Sequence, residues 1–372
     1  MNGRLLAGVA AVGMSVICFS TLASSPTLAQ SGVRVPTGND GAESCALSPI
    51  CNWGRGRNLI SHEVRTPDLQ FTYSYPFALP DGLTGGISAV ALNSKEHLFA
   101  FQRNPGGKPQ LFEFDQHHKL IRTIGEDVIG HQSKAHGIAI DAQDNIWICD
   151  ENGDTVMKLS PEGKLLLTLG VKGQRGDWDE AKGQRLLWQP LHLAFAPNGD
   201  VFIGMGHANE SPNDTGKSPT NMSGAARILH LDKNGKYINQ WFGNNAGQGH
   251  FSMVHGIAIH PDNGNIYIGD REEYRIVVYD KTGKFVKTIQ MRNLVCALYV
   301  DPHKQLWMAT GQDGQYFKID WDGNILGVIG NGAGRGEGQF AEASYLVMDS
   351  KGNLYTGDTS VPRITKMVAN VR

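Results

Sequence analysis

The chain has 372 residues, a formal net charge of −2 and 46 glycines. That length admits one large all-β domain or two smaller ones. The charge excludes the basic surface with which a nucleic-acid binder neutralises phosphates, and the glycine content suits tight turns better than long helices.

Residues 1–29 differ from the rest. Arg4 precedes an apolar run from Leu5 to Phe19, and small residues follow around Thr27-Leu28-Ala29. Charge, apolar core and small-residue site predict a secretory signal peptide and a mature chain starting near Gln30. The run is slightly short for a bilayer span, and no other segment is suited to one. The expectation is an exported chain, periplasmic or secreted, with no stable membrane insertion. An extension follows over residues 30–67. Export permits disulfides, and Cys45 and Cys51, close together in a proline-containing segment, read as a small bridged loop. Cys149 and Cys296 lie in apolar strand patterns.

From residue 68 onward one phrase recurs: an apolar strand, a polar turn, a second strand. The turns are Asn93–His97, Asp141–Asn145, Ala196–Asp200, His260–Asn265, Asp301–Gln305 and Asp349–Asn353. Each carries residues that tolerate tight-turn angles or solvent. A second series follows about twenty residues later: Asp115–Lys119, Ser160–Lys164, Asp232–Lys236, Asp280–Lys284 and Trp321–Asn324. Two hairpins per copy give four antiparallel strands, and units of this size fit propeller blades. The sixth copy lacks its fourth strand. The alternating segment Leu69–Tyr75, ahead of the first copy, is expected to pair with the strand around Arg363–Val368 and close the ring, because an open ring leaves strand edges bare. The fold class is therefore all-β: a six-bladed β-propeller of four-stranded antiparallel blades over residues 68–372, closed by an N-terminal strand.

The linkers GNNAGQGHFSMVHGIAI and GNGAGRGEGQFAEASYLVM run glycine-rich, then Phe, then the inner strand. With the strand phrases NIYIGD and RIVVYDKTGK they resemble the NHL repeat over roughly Gly86 to Val368. Aligning the six copies gives one inner-strand position per blade: Ser88, His136, Leu191, His255, Cys296 and Ser344. Two are histidines in an identical HGIAI context, and histidines facing one another across a channel are metal-ligand candidates. Packing within a repeat consensus explains them equally well. His192, one residue beyond the ring position, is expected to point elsewhere because strand side chains alternate.

The propeller more particularly resembles the peptidyl-α-hydroxyglycine α-amidating lyase family, which holds zinc at the axis with three histidines and releases an amidated peptide and glyoxylate. The resemblance places His136 and His255 on two of the three ligands. It places Arg103, in FAFQR, and Arg271, in IGDREEYRI, on the two arginines. It also shows departures. Ser344 stands at the third ligand, Tyr345 replaces a calcium-binding aspartate, and His207, in GMGHA, replaces the catalytic tyrosine ahead of a polar insertion from Asn209 to Gly224. The expected metal set is therefore His136, His255 and Cys296 around zinc, with calcium as the lesser alternative. The expected catalytic set is Arg103 and Arg271 as anion holders and His207 as base. Two functions stay open: a metal-dependent lyase acting on a small-molecule or peptide substrate bearing a carboxylate, or a non-catalytic propeller binding a protein, peptide or glycan partner. His117, His118, His260 and His303 fall in turns, and Asp150, Asp270 and Asp358 read as strand-end caps. No phosphate loop, G-x-S-x-G or HExxH helix is present.

Overall fold

The computed structural model describes residues 69–103, 109–130, 134–207, 226–243 and 249–370. The predicted signal peptide, the extension up to residue 67, the Cys45–Cys51 loop and the insertion from Asn209 to Gly224 lie outside the described residues. Among those described, no helix is long and apolar enough to cross a membrane.

Six four-stranded antiparallel sheets follow one another along the chain. Their inner strands are Ile87–Leu92, Ala135–Ile140, Pro190–Phe195, Gly256–Ile259, Ala297–Val300 and Ala343–Met348. Each inner strand packs against the next and the last against the first, so the six blades close on themselves. The closing strand is Phe71–Ser74, which pairs antiparallel with Val361–Ala369 in the register Phe71 to Ala369 and Tyr73 to Met367. The chain is thus the six-bladed β-propeller expected from the repeat, with the N-terminal segment as the outer strand of the sixth blade.

The turns explain why the repeat is written as it is. In all five members of the second series a side-chain oxygen accepts from the backbone N–H groups two and four residues on: Asp115, Ser160, Asp232, Asp280 and Asp320. The residue three along has positive φ, which favours glycine; Gly163, Gly235, Gly283 and Gly323 supply it, and His118 adopts φ 66° in the first blade. In the first series Asp141, Asp301 and Asp349 hold their turns in the same way. Each also accepts from the aromatic side chain of the following strand: Trp147, Trp307 and Tyr355.

Blade faces are apolar on both sides and bury against each other. Trp147, Cys149, Leu193 and Leu229 fill the space between the second and third blades, and Phe202, Ile257, Ile266 and Val277 that between the third and fourth. Phe77, Val90, Phe112, Val347 and Tyr355 join the sixth blade to the first. This packing fixes where each inner strand begins, and the histidines are carried there.

Candidate metal centre

The aligned ring positions prove to be one structural position, and they speak to one another. Ser88 Oγ donates to His136 O at 2.9 Å, His136 Nδ1–H to Leu191 O at 2.7 Å, His255 Nδ1–H to Cys296 O at 2.5 Å, and Ser344 Oγ to Ser88 O at 2.9 Å. In each case a side chain bonds the carbonyl at the ring position of the next blade. For the two histidines this fixes the tautomer. Nδ1 carries the proton, and Nε2 keeps the lone pair with which an imidazole takes a metal.

The two imidazoles lie with ring centroids 4.7 Å apart. A third ring joins them. His207 stands two residues past the second strand of the third blade, Val201–Met205, with centroids 5.7 Å from His136 and 5.3 Å from His255. Gly206 turns the chain there at φ +120°, where an added Cβ would meet the Ala226 backbone at 2.7 Å. The candidate ligand atoms of His136, His207 and His255 all lie within 4.8 Å of one another, and all three residues are buried. Burial holds the His136 and His255 imidazoles well below their ordinary pKa; at His255 the charges of His136 and Arg271 add to it. Both are neutral at pH 7, which is the ligating form. Three buried imidazoles, two of them with Nδ1 given to a backbone carbonyl, fit a transition metal.

The group of candidate donors is thus completed by a histidine from a loop, where the sequence suggested the thiol at the ring position. Cys296 lies on the other side of His255, with Sγ 3.8 Å from Nδ1 rather than among the donors. Burial pushes its thiol up to about 12, against the pull of Arg271. Ser344 spends its hydroxyl on Ser88 O. Tyr345 passes beneath the histidines. Its hydroxyl donates to His255 O at 2.7 Å, stands 3.2 Å from His136 Nδ1, and lies 3.4 Å from Leu191 O. These carbonyls meet a phenol, and the centre offers imidazoles rather than the six to eight oxygens calcium takes. Beyond Tyr345 a cavity of about 590 Å³ opens at the other ends of the inner strands. His192 belongs to that side: it lies tilted against Tyr345 with ring centroids 4.5 Å apart, and its Nδ1 accepts from Ile257 N.

Charged side chains flank the triad from one register, the residue after each second strand. Arg103, Glu151 and Arg271 hold it in the first, second and fourth blades. The aspartates just before, Asp150 and Asp270, and their counterpart Asp358 are strand-end caps. They accept from Lys134 N, from Ser252 N and Met253 N, and from Ala341 N and Glu342 N. Arg103 Nε donates to Ala135 O, and its guanidinium lies 3.9 Å from Glu151. Arg271, 1% exposed, is closed in by Glu272 and Gln312, with Glu342 at 3.6 Å. Glu151 was not singled out in the sequence. It is fully buried, 3.0 Å from Lys134 Nζ and 3.3 Å from His207 Nδ1. The desolvation that would raise its carboxyl is outweighed by Lys134 and His207, which hold it well below the usual range.

Fold and site together define a class: a six-bladed propeller with a histidine-lined centre where its inner strands begin. A family profile described as a 6-bladed beta-propeller matches residues 220–326. The chain is 29% identical over 249 residues to the peptidyl-glycine alpha-amidating monooxygenase of Mus musculus, covering 59% of this chain and 23% of that protein. It is 29% identical over 259 residues to peptidyl-alpha-hydroxyglycine alpha-amidating lyase 1 of Drosophila melanogaster, covering 60% of this chain and 44% of that one. The likeness therefore spans about a quarter of the monooxygenase and less than half of the lyase. Among solved structures, a streptogramin B lyase matches with TM-score 0.53 at 14% identity, over 81% of this chain and 98% of that one. A gluconolactonase from Xanthomonas campestris matches with TM-score 0.58 at 15% identity, over 83% and 96%. These two bear on the fold alone.

Proposed function

We propose that the chain is an exported metal-dependent enzyme of the lyase type, holding zinc through His136, His207 and His255 and acting on a small or peptidic substrate that bears a carboxylate. The observation that carries this reading is the trio of buried imidazoles with donor atoms within 4.8 Å. Three histidines with a position left open are a catalytic rather than a closed structural zinc set. A bound zinc ion would supply Lewis acidity there. Around it the chain's own residues divide the work. Arg103, whose side chain is 22% exposed, is the cation available to a substrate carboxylate. Arg271, enclosed by Glu272, Gln312 and Glu342, braces the His255 side. The resemblance to the amidating lyases supports an N-acyl-α-hydroxyglycine as the first substrate to try, and the apolar run at residues 5–19 supports export. The same enclosure of Arg271, with histidine in place of tyrosine at position 207, favours the second reading, a propeller that binds a protein, peptide or glycan without turning it over.

The test uses protein recovered from the periplasmic or secreted fraction. Elemental analysis is expected to find stoichiometric zinc in the wild type and in Cys296→Ser, and far less than one equivalent in His136→Ala or His207→Ala. Glyoxylate released from an N-acyl-α-hydroxyglycine reads the chemistry. Zinc-loaded protein that leaves this substrate untouched moves the conclusion to the binding propeller, and wild-type protein without a metal overturns the centre itself.

A further inference from the structure

His136 and His255 owe their orientation to backbone carbonyls of the neighbouring blade. His207 sits on a loop past a strand end rather than at a ring position. Its Nδ1 faces a carboxylate, Glu151 Oε1, at 3.3 Å. The acceptor is costly. Glu151 is fully buried, and a buried charge is retained only when it is matched. Its partners are Lys134 Nζ at 3.0 Å, His207 Nδ1 at 3.3 Å and, more distantly, Arg103 at 3.9 Å. The same register carries arginine in the first and fourth blades, so the acid is a property of the second blade, the one that faces His207.

We propose that Glu151 is a positioning residue for the metal centre: its carboxylate accepts from His207 Nδ1–H and turns Nε2 toward His136 and His255. This rests on the metal-centre reading above and deepens it. A carboxylate behind a ligating imidazole fixes the tautomer and raises the basicity of the ligand, and loss of such a partner costs about 10–100-fold in metal affinity. The competing explanation is that Glu151 merely neutralises Lys134 and Arg103.

The test measures zinc affinity by competition with a chromophoric chelator, together with the visible spectrum of the cobalt-substituted protein. Glu151→Gln keeps the volume and removes the charge, and is expected to weaken zinc by about 10–100-fold and to shift the cobalt bands. Should the unmatched Lys134 keep that variant from folding, Glu151→Gln with Lys134→Met removes both charges. Affinity that remains 10–100-fold low in the double variant supports positioning, and affinity restored to the wild-type value overturns it. In a His207→Ala background Glu151→Gln is expected to change residual binding no further, since the two act as one unit. Wild-type affinity in Glu151→Gln sinks this inference alone, whereas a wild type that takes no metal sinks the centre.

Discussion

At the scale of single residues, what organises the axis is the commitment of one nitrogen on each ring. His136 and His255 give Nδ1–H to a carbonyl, while His192 does the reverse and accepts on Nδ1 from Ile257 N. All three are depressed by burial, His192 to about 3. The sign of the consequence follows. In the unfolded chain these imidazoles take up protons below about pH 6.5, while in the fold they stay neutral, so stability is intact above that pH and is lost as pH falls. Each contributes a slope of about 1.4 kcal/mol per pH unit while only the unfolded state titrates, and for His192 that window runs from about 6.5 to about 3. Urea denaturation of metal-free protein at pH 7, 6 and 5 is expected to show falling stability. His192→Asn, whose Oδ1 can still accept from Ile257 N, should flatten the slope by about 1.4 kcal/mol per unit. Equal slopes in the two proteins would remove His192 from the account. The alternation argument that turned His192 away from the triad needed only strand geometry. The third candidate donor did not yield to the same reasoning. Cys296 shares the register of the histidines, but register fixes where a side chain starts and not which side of the imidazole it reaches. His207 arrives from a loop whose path depends on Gly206 at φ +120°.

At the scale of strands, the phrase HGIAI has two halves with different causes. The histidine is the inter-blade donor, and the glycine is where the next blade comes too close for a side chain. A Cβ on Gly137 would meet Leu191 O at 2.5 Å, and one on Gly256 would meet Leu298 N at 2.8 Å and Ala297 Cα at 3.0 Å. Backbone on both sides leaves nothing flexible to yield. Gly256→Ala is therefore expected to cost about 1–3 kcal/mol and, by moving the fifth blade away, to lengthen the bond from His255 to Cys296 O and loosen the metal. Thermal melts with and without added zinc read both effects. A substitution that lowers the melting temperature but leaves zinc affinity unchanged would separate the glycine from the centre. The repeat itself was legible because its causes are local. An Asp or Ser that accepts two and four residues ahead, followed by a residue at positive φ, leaves the same mark at all five hairpins of the second series and at three of the first. Glu151 left no mark of that kind. It shows only when CDENGD is set beside GDREEY and the acid in one is seen to occupy the place of the arginine in the other.

At the scale of the whole propeller, the ring is held shut by a segment distant in sequence from the strand it completes. Phe71–Ser74 supplies the outer strand of the sixth blade, Leu69 N donates to Val328 O in the fifth, and the Tyr73 hydroxyl accepts from Gly330 N at 3.1 Å. The closing strand therefore ties two blades as well as covering an edge. Leu69, Phe71 and Tyr73 are all packed on the core cluster that includes Phe340 and Met367. Removing the chain through Tyr75 strips these three half-buried side chains, at about 1.5–3 kcal/mol for each fully buried equivalent. It also exposes the outer edge of Val361–Ala369 to pairing with another molecule. The expected result is a fall in melting temperature of roughly ten degrees for a loss of about 4 kcal/mol, with association at raised concentration in light scattering. The triad itself lies on inner strands and a loop of the second to fourth blades, away from the missing strand, so zinc should still bind at low temperature. A truncated protein that melts like the wild type and stays monomeric would mean that the sixth blade closes without its fourth strand.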